Sequence, residues 1–444
     1  MENSKIFVWS IIVSLAGFLF GFDTVVISGA DLSLQQLWDK GEFYHGFVVM
    51  ASALWGTVVG AIFGAYPTDI FGRRKTLIII GVLFLLSAIG SAMAQGPEMF
   101  AIFRFIGGLG IGASTIAAPA FISEVAPEKN RGKLVALYQF NIVFGILMAM
   151  LSNYLLQNIG ADAWRWMLGV MAIPSVIYLA LVFFIPESPR WLIAKKRDEK
   201  AATAVLQTIY AKDDVSAELR AITEDNATAN KTDSIFSEKY RYPLVLAFLV
   251  ALFNQFSGIN AFLYYAPRIF EIAGLEKSGA LLSSVGIGIV NLIFTLIGLS
   301  LIDKWGRKQL MYIGSIGYIL SLSLVAIAFY LKWQGVAVPL FLFLFIASHA
   351  IGQGAVIWVF ISEIFPNHLR ANGQAFGSSV HWVLAAIIPS LVPYLFNAVG
   401  PGSVFAFFAF MMVLQLIFVW KMMPETKGIS LEELDKQMVN RKAW

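Results

Sequence analysis

The chain of 444 residues contains no cysteine and only four histidines. That removes disulfides, thiol catalysis, cysteine-ligated zinc and iron–sulfur clusters, and four scattered histidines make no metal site. Charge is scarce as well. Asp, Glu, Lys and Arg make up 14% of the residues, against roughly 25% in soluble domains. The 32 basic and 28 acidic side chains leave a net charge of +4, too little for a nucleic-acid surface. The polar segments hold no nucleotide-binding glycine loop and no set of nucleophile, base and oxyanion donors, so nothing calls for an enzyme or a cofactor. What the sequence has in abundance is apolar residues, 58% of the total, with a mean hydropathy of +0.73.

A helix that crosses a bilayer takes about 20 mostly apolar residues. Twelve such runs occur, over 6–30, 46–67, 77–95, 99–122, 134–156, 165–185, 243–271, 279–301, 310–331, 337–361, 374–396 and 403–423. The first is too long for a signal-peptide core, lacks a small-residue cleavage site and carries Asp23, so it reads as a retained helix. One long polar stretch, 186–242, parts the runs six and six. The expected fold is an all-α membrane protein of twelve transmembrane helices in two six-helix bundles, 1–190 and 241–428, with a linker over 191–240 and a polar tail over 429–444. Within the linker, Arg197 to Tyr210 and Val215 to Asp225 have helical composition. Counting Lys and Arg by side gives 26 with the termini and linker, 5 opposite, and Arg104 inside a run. The termini and linker are therefore expected on the cytoplasmic side of a bacterial inner membrane. The sequons at Asn226 and Asn230 fall in that linker, where no glycosylation reaches them.

Three motifs recur at nearly constant offset. Asp69-Ile-Phe-Gly-Arg-Arg74 returns as Asp303-Lys-Trp-Gly-Arg-Lys308, Ser123-Glu124 through Arg131 as Ser362-Glu363 through Arg370, and Pro186-Glu-Ser-Pro-Arg190 as Pro424-Glu-Thr-Lys427. Two halves on one plan, able to rock about a site at mid-depth, are a transporter architecture. Asp69, Arg73, Arg74, Glu124, Arg131, Glu187, Arg190, Asp303, Arg307, Glu363 and Arg370 are candidates for a gating network, whose carboxylates and guanidinium groups pair when the cytoplasmic side is shut. The bland alternative is that the basic residues merely set topology, but topology has no need of the glutamates.

These motifs, with Gly17-Phe-Leu-Phe-Gly21-Phe-Asp23 in the first run and Gln255-Phe-Ser-Gly-Ile-Asn260-Ala-Phe-Leu-Tyr264 in the seventh, resemble the sugar porter family of the major facilitator superfamily over nearly the whole chain. The resemblance implies twelve helices around a central polar cavity and small polyhydroxylated substrates. It also places Gln139, Gln255, Asn260 and Asn291 in that cavity, with Trp358 and Trp382 stacking on the sugar. Amides that both donate and accept, beside aromatic faces, suit a sugar's hydroxyl edges and apolar C–H faces. Asn254 and His381 join this set, and Phe20 and Tyr264 are read equally well as packing. For each amide the alternative is hydrogen bonding between helices.

The chain departs from the family's pattern in several places. Asn254 precedes Gln255 where two glutamines are usual, and Ile146 and His381 stand where amides are. Ala385 replaces a common asparagine, and the Gly352 to Trp358 stretch lacks its usual prolines. Glucose or xylose therefore cannot be assigned by analogy, and a hexose, a pentose or an inositol-like polyol remain open.

Asp23 and Arg104 are charges at bilayer depth, where each needs a partner. Burial favours the neutral acid and Arg104 the carboxylate, so protonation is free to follow conformation. The resemblance adds that proton-coupled members carry an aspartate here. The expectation is a proton symporter acting as a monomer in the lipid bilayer. A facilitative uniporter, in which the pair is only structural, is the alternative, and a nutrient sensor is the reading from another class. His349 is read as a titrating group or a satisfied hydrogen-bonding one. His45 and His368 are placed at the water interface. Ser257-Gly258 is expected to break the seventh helix and Gly352 with Gly354 the tenth, while Gly56, Gly60, Gly64, Gly108 and Gly112 allow helices to approach closely.

Overall fold

The computed structural model describes residues 2–127, 130–210, 215–216, 218–220, 222–223, 234–366, 369–429, 433–434 and 437–438, and among these every regular element is helical. Among the described residues, ten helices are long and apolar enough to cross a membrane. The pair Glu42–Met50 and Ser52–Phe63, bent by 44°, makes an eleventh span. The last of the ten, Arg370–Lys421, runs for 52 residues. At 1.5 Å per residue it is more than twice as long as a hydrocarbon core of about 30 Å is thick. It turns at Gly400, where φ is +79°, and Pro401 starts the next helix with its preset φ. It therefore makes two crossings, and all twelve runs become spans.

The first six spans are Glu2–Val26, the bent pair, Arg73–Ala92, Pro97–Val125, Arg131–Leu156, and the stretch Ala163–Val182. The seventh is two helices, Arg241–Phe256 and Ile259–Ile272, joined through Gly258 at φ +83°. The eighth and ninth are Lys277–Trp305 and Arg307–Tyr330. The tenth is broken at Gly352 into Ala337–Ile351 and Gln353–Glu363. Both expected breaks are present.

By compactness the chain divides into Met1–Thr24, Ser52–Ala149 and Arg165–Thr232 as one unit, and Val25–Ala51, Met150–Trp164 and Asp233–Trp444 as the other. The second unit thus holds the whole second repeat together with the ends of the first, second, fifth and sixth spans that lie away from the repeated loops. Within the first unit a glycine seam sets the packing. A Cβ on Gly56 would stand 2.1 Å from the Phe105 carbonyl oxygen, and one on Gly108 2.0 Å from that of Ala53. In hydrocarbon, where lipid is as apolar as leucine, such close backbone approach supplies the van der Waals attraction that holds helices together. The linker keeps one expected helix as Glu199–Ile209, capped by Asp198, whose carboxylate accepts from the Ala201 amide at 2.9 Å. Ala202 and Leu206 pack there with Ile193, Val215 and Ile222. The second expected linker helix lies partly, the sequons wholly, and the tail largely outside the described residues.

Gly108→Ala should lower thermal stability in detergent by about 1–3 kcal/mol, the range for overpacking. Gly132→Ala, where an added Cβ meets nothing within 4 Å, should leave the melting temperature unchanged or raise it. Equal melting temperatures for the two variants would contradict the seam.

Candidate functional site

Asp23, near the end of the first span, and Arg104, in the second turn of the fourth, are both 1% exposed. Arg104 Nη1 donates to Asp23 Oδ1 at 2.5 Å and Nη2 to the Asp23 backbone carbonyl at 2.7 Å. Asp23 Oδ2 and Arg104 Nε have no hydrogen-bond partner among the described residues. One carboxylate oxygen is therefore clamped by the guanidinium and the other is not. The carbonyl bond would keep the guanidinium anchored if the carboxylate became neutral. Oδ2 faces Gly107, where a Cβ would stand 3.2 Å from it and 2.3 Å from Ser87 Oγ.

The repeated motifs build the same construction twice. In the first unit, Arg73 meets Glu124 through two bonds, Nη2 to Oε1 at 2.8 Å and Nε to Oε2 at 2.9 Å, with Asp69 at 3.4 Å. Glu187 Oε1 accepts the backbone N–H groups of Arg73 at 2.8 Å and Arg74 at 3.1 Å. In the second unit, Arg307 meets Glu363 at 2.7 and 3.1 Å and Asp303 at 3.1 Å. Glu425 accepts the N–H groups of Arg307 and Lys308, each at 2.9 Å.

A carboxylate on the orphan N–H groups at a helix start also gains from the helix dipole. The chain can present those N–H groups only because Gly72 and Gly306 enter the helix at φ +91° and +92°, where a Cβ would strike the carboxylates at 2.4 and 2.5 Å. Each set ties the second, third, fourth and sixth spans of its own repeat together. Glu425 holds in the second repeat the place Glu187 holds in the first; the echo of the Pro-Glu motif was its signal. Arg190 stands 4.0 Å from Glu218 on the linker, and Arg74 Nη2 donates to the Phe183 carbonyl. Arg370 begins the eleventh span. The Arg131 side chain lies outside the described residues.

In the second unit the seventh-span break gathers the amides. Asn260 Nδ2 donates to Gln255 Oε1 at 2.9 Å, and Gln255 Nε2 to Asn254 Oδ1 at 2.9 Å. Gln255 Nε2 also lies 3.2 Å from the ring of His381. That imidazole stands between two indoles, with ring centroids 5.0 Å from Trp358 and 4.9 Å from Trp382. Asn254 Nδ2 reaches Gln353 Oε1 at 3.5 Å, Gln353 Nε2 donates to Gln415 Oε1 at 3.0 Å, and Gln415 Nε2 to Ser315 Oγ at 2.7 Å. Gln353 and Gln415, each 0% exposed, are absent from the sequence reading. They back the chain of amides from the tenth and twelfth spans, and a glutamine beside the Gly352 break was the available signal.

Tyr264 is fully buried. Asn291 is 7% exposed and accepts from Thr295 one turn on at 3.5 Å. Phe20 and Gln139 are half-buried on the first and fifth spans, in the other unit. His349 is satisfied by the Tyr318 hydroxyl at 2.5 Å. His45 departs from expectation: it is 1% exposed and 2.7 Å from Asp31, because the segment after the first span folds inward against the seventh. His368 lies outside the described residues.

Twelve spans in two repeats, with broken seventh and tenth spans meeting at a set of amides and indoles, define a solute carrier of the major facilitator type. The chain belongs to the family described as Sugar (and other) transporter, whose model matches residues 9–438. It is 38% identical over 450 residues to the glucose transporter GlcP of Staphylococcus epidermidis, covering 99% of each chain. It is 34% identical to the D-xylose-proton symporter of Escherichia coli, over 98% of this chain and 96% of that one. Its fold matches the inward-open structure of the xylose transporter XylE from E. coli with a TM-score of 0.87 at 33% identity, over 97% of this chain and 99% of that one. It matches XylE bound to 6-bromo-6-deoxy-D-glucose with a TM-score of 0.83 at 33% identity, over 99% and 100%.

Gln353→Leu removes an amide from between two others and takes away the partner of Asn254 Nδ2 on one side and of Gln415 Oε1 on the other. It should lower stability by about 1–3 kcal/mol and weaken sugar binding through Asn254 and Gln255, as read by thermal unfolding with and without sugar. A variant with both quantities unchanged would separate Gln353 from the site.

Proposed function

We propose that the chain imports a monosaccharide or cyclic polyol together with a proton by alternating access. It acts as a monomer in a bacterial inner membrane with both termini cytoplasmic, and residues 1–190 rock against 241–428. The observation that carries the reading is the buried Asp23–Arg104 pair with one carboxylate oxygen unengaged. A buried charge pair costs desolvation, so its retention asks for a reason, and a protonation site with a fixed counter-cation is one. The relatives named as a D-xylose-proton symporter and an arabinose-proton symporter support the same reading.

The residues divide the work. A proton entering on Asp23 Oδ2 from the outside cancels the carboxylate's charge, and the Asp23 carbonyl retains Arg104. The first span, held to the fourth by that carbonyl bond and no longer by the ion pair, then shifts against it, and the loaded carrier turns inward. Gln139, Gln255, Asn254, Asn260 and Asn291 supply the donors and acceptors for the sugar's hydroxyls. Trp358 and Trp382 supply apolar faces, with Phe20 and Tyr264 closing around the ring. His381, in place of an amide, narrows the pocket on the eleventh-span side and shapes which sugar fits. The Arg73–Glu124 and Arg307–Glu363 pairs set the cytoplasmic gate, since each fixes the helix ends that must swing as a group.

The test is uptake into proteoliposomes of labelled hexoses, pentoses and inositols, with and without an inward proton gradient. Wild type should accumulate one class above equilibrium, more strongly as the outside is acidified. Asp23→Asn, an isosteric neutral residue, should lose accumulation while keeping sugar exchange. Equilibration without accumulation in the wild type would make the protein a uniporter with a structural ion pair. No uptake of any member would remove the transport reading.

A further inference from the structure

Beyond the site and the gating motifs there is a second buried charge cluster. Arg268, on the second half of the broken seventh span, grips Asp31 with two bonds, Nε to Oδ2 at 2.6 Å and Nη2 to Oδ1 at 2.8 Å. Its Nη2 also donates to Gln35 Oε1, and Nη1 stands 3.7 Å from Glu42. His45 Nε2 lies 2.7 Å from Asp31 Oδ1 on the other side. Asp31 and His45 are 1% exposed and Arg268 7%. Every one of these partners lies between residues 31 and 45, Asp31 and Gln35 in the connection after the first span and Glu42 and His45 at the start of the second, and only the cation comes from the second repeat. A few residues on, a Cβ on Gly46 would stand 2.2 Å from the Ser390 carbonyl of the eleventh span, so the two repeats meet without a gap along this line.

We propose that Asp31 and Arg268, backed by Gln35, Glu42 and His45, form the outer latch of the transport cycle, closed while the extracellular mouth is shut and broken when it opens. Three features make the contact a latch rather than a permanent brace. It joins the repeats through one guanidinium, so it is made or lost as a unit. Breaking it in a dry site leaves charges unpaired, whereas breaking it as water enters rehydrates them, which favours the two end states over intermediates. And Arg268 rides on the half-helix that begins after Gly258, at spacing four from Tyr264 and eight from Asn260. The segment bends at Tyr265, between Asn260 and Arg268, so a sugar held by Asn260 reaches the latch through that hinge, which couples loading to closure. The outer placement rests on the orientation given under Proposed function, while the latch itself depends neither on which sugar is carried nor on Asp23.

The chain has no cysteine, so Ser390→Cys supplies a single reporter at a position that is 1% exposed. Its labelling by a membrane-impermeant maleimide is measured in right-side-out and inverted vesicles, with the latch intact, with Asp31→Asn, with Arg268→Gln, and with the exchanged pair Asp31→Arg plus Arg268→Asp. Either neutralised variant should label from outside faster, on the order of tenfold for a population shifted toward the open mouth. The exchanged pair should return toward the slow rate. Unchanged labelling in the single variants would overturn the latch. So would faster labelling that the exchange fails to slow, because that is the behaviour of a brace whose loss disorders the fold. Acceleration in inverted vesicles only would overturn the orientation and with it the outer placement. Loss of proton coupling in separate uptake assays would leave these outcomes unaffected, so failure of the symport reading and failure of the latch are distinguishable.

Discussion

Hydrocarbon offers no hydrogen bonds, so a polar group that leaves water inside a bilayer must find its partner in the protein or stand in a water-filled cavity. That constraint organises this chain. The buried charges with described partners are paired within reach of one or two spans, Arg104 with Asp23 and Arg268 with Asp31. Five amides, Asn260, Gln255, Asn254, Gln353 and Gln415, form one continuous run, and the buried Asn153 and Asn291 bond apart from it, to the Val26 carbonyl and to Thr295. The two spans that deviate from straight helices in the second repeat do so beside that run, where the freed backbone groups have polar neighbours. Stability in such a solvent comes from close approach along glycine seams, which is why small residues are placed at spacing of four in the second and fourth spans.

The same constraint explains why the repeated loops are alike in residue type and not merely in charge. Gly72 and Gly306 adopt a left-handed φ that a side chain would resist, and each does so beneath a glutamate from the end of its own repeat. The carboxylate fills the anion site at the helix start, the adjacent arginine turns back to the glutamate of the fourth or tenth span, and the four segments become one piece. Three motifs far apart in sequence are therefore parts of one clasp, made twice. Rigid pieces joined by such clasps are what a rocking mechanism needs.

Much of this is legible in the sequence. Run lengths of about 20 residues and the polar stretch over 186–242 are enough for twelve spans and a linker, and the offsets between motifs are enough for two repeats. Asp23 and Arg104 stood out because charge is rare at that depth. The breaks at Gly258 and Gly352 followed from local residue types. What escaped were contacts that depend on which faces meet. Gln353 and Gln415 lie on the tenth and twelfth spans with nothing in their local sequence to show that they touch. Asp31 and His45 sit near a span's end, where charged and titratable residues are ordinary and give no alarm. Arg268 could be counted with the loop that follows it. The eleventh and twelfth spans run on as one 52-residue helix turned at Gly400, a continuity that their two separate apolar runs do not reveal.

The central claim is that sugar and proton move together through this fold, and the most direct measurement is of the proton itself. With a pH-sensitive dye sealed in proteoliposomes and no gradient imposed, adding a transported sugar outside should acidify the interior in step with sugar entry, at a fixed ratio across sugar concentrations. Sugar entry with no change in internal pH would contradict the account, and would leave Asp23 and Arg104 as a structural pair in a facilitative carrier.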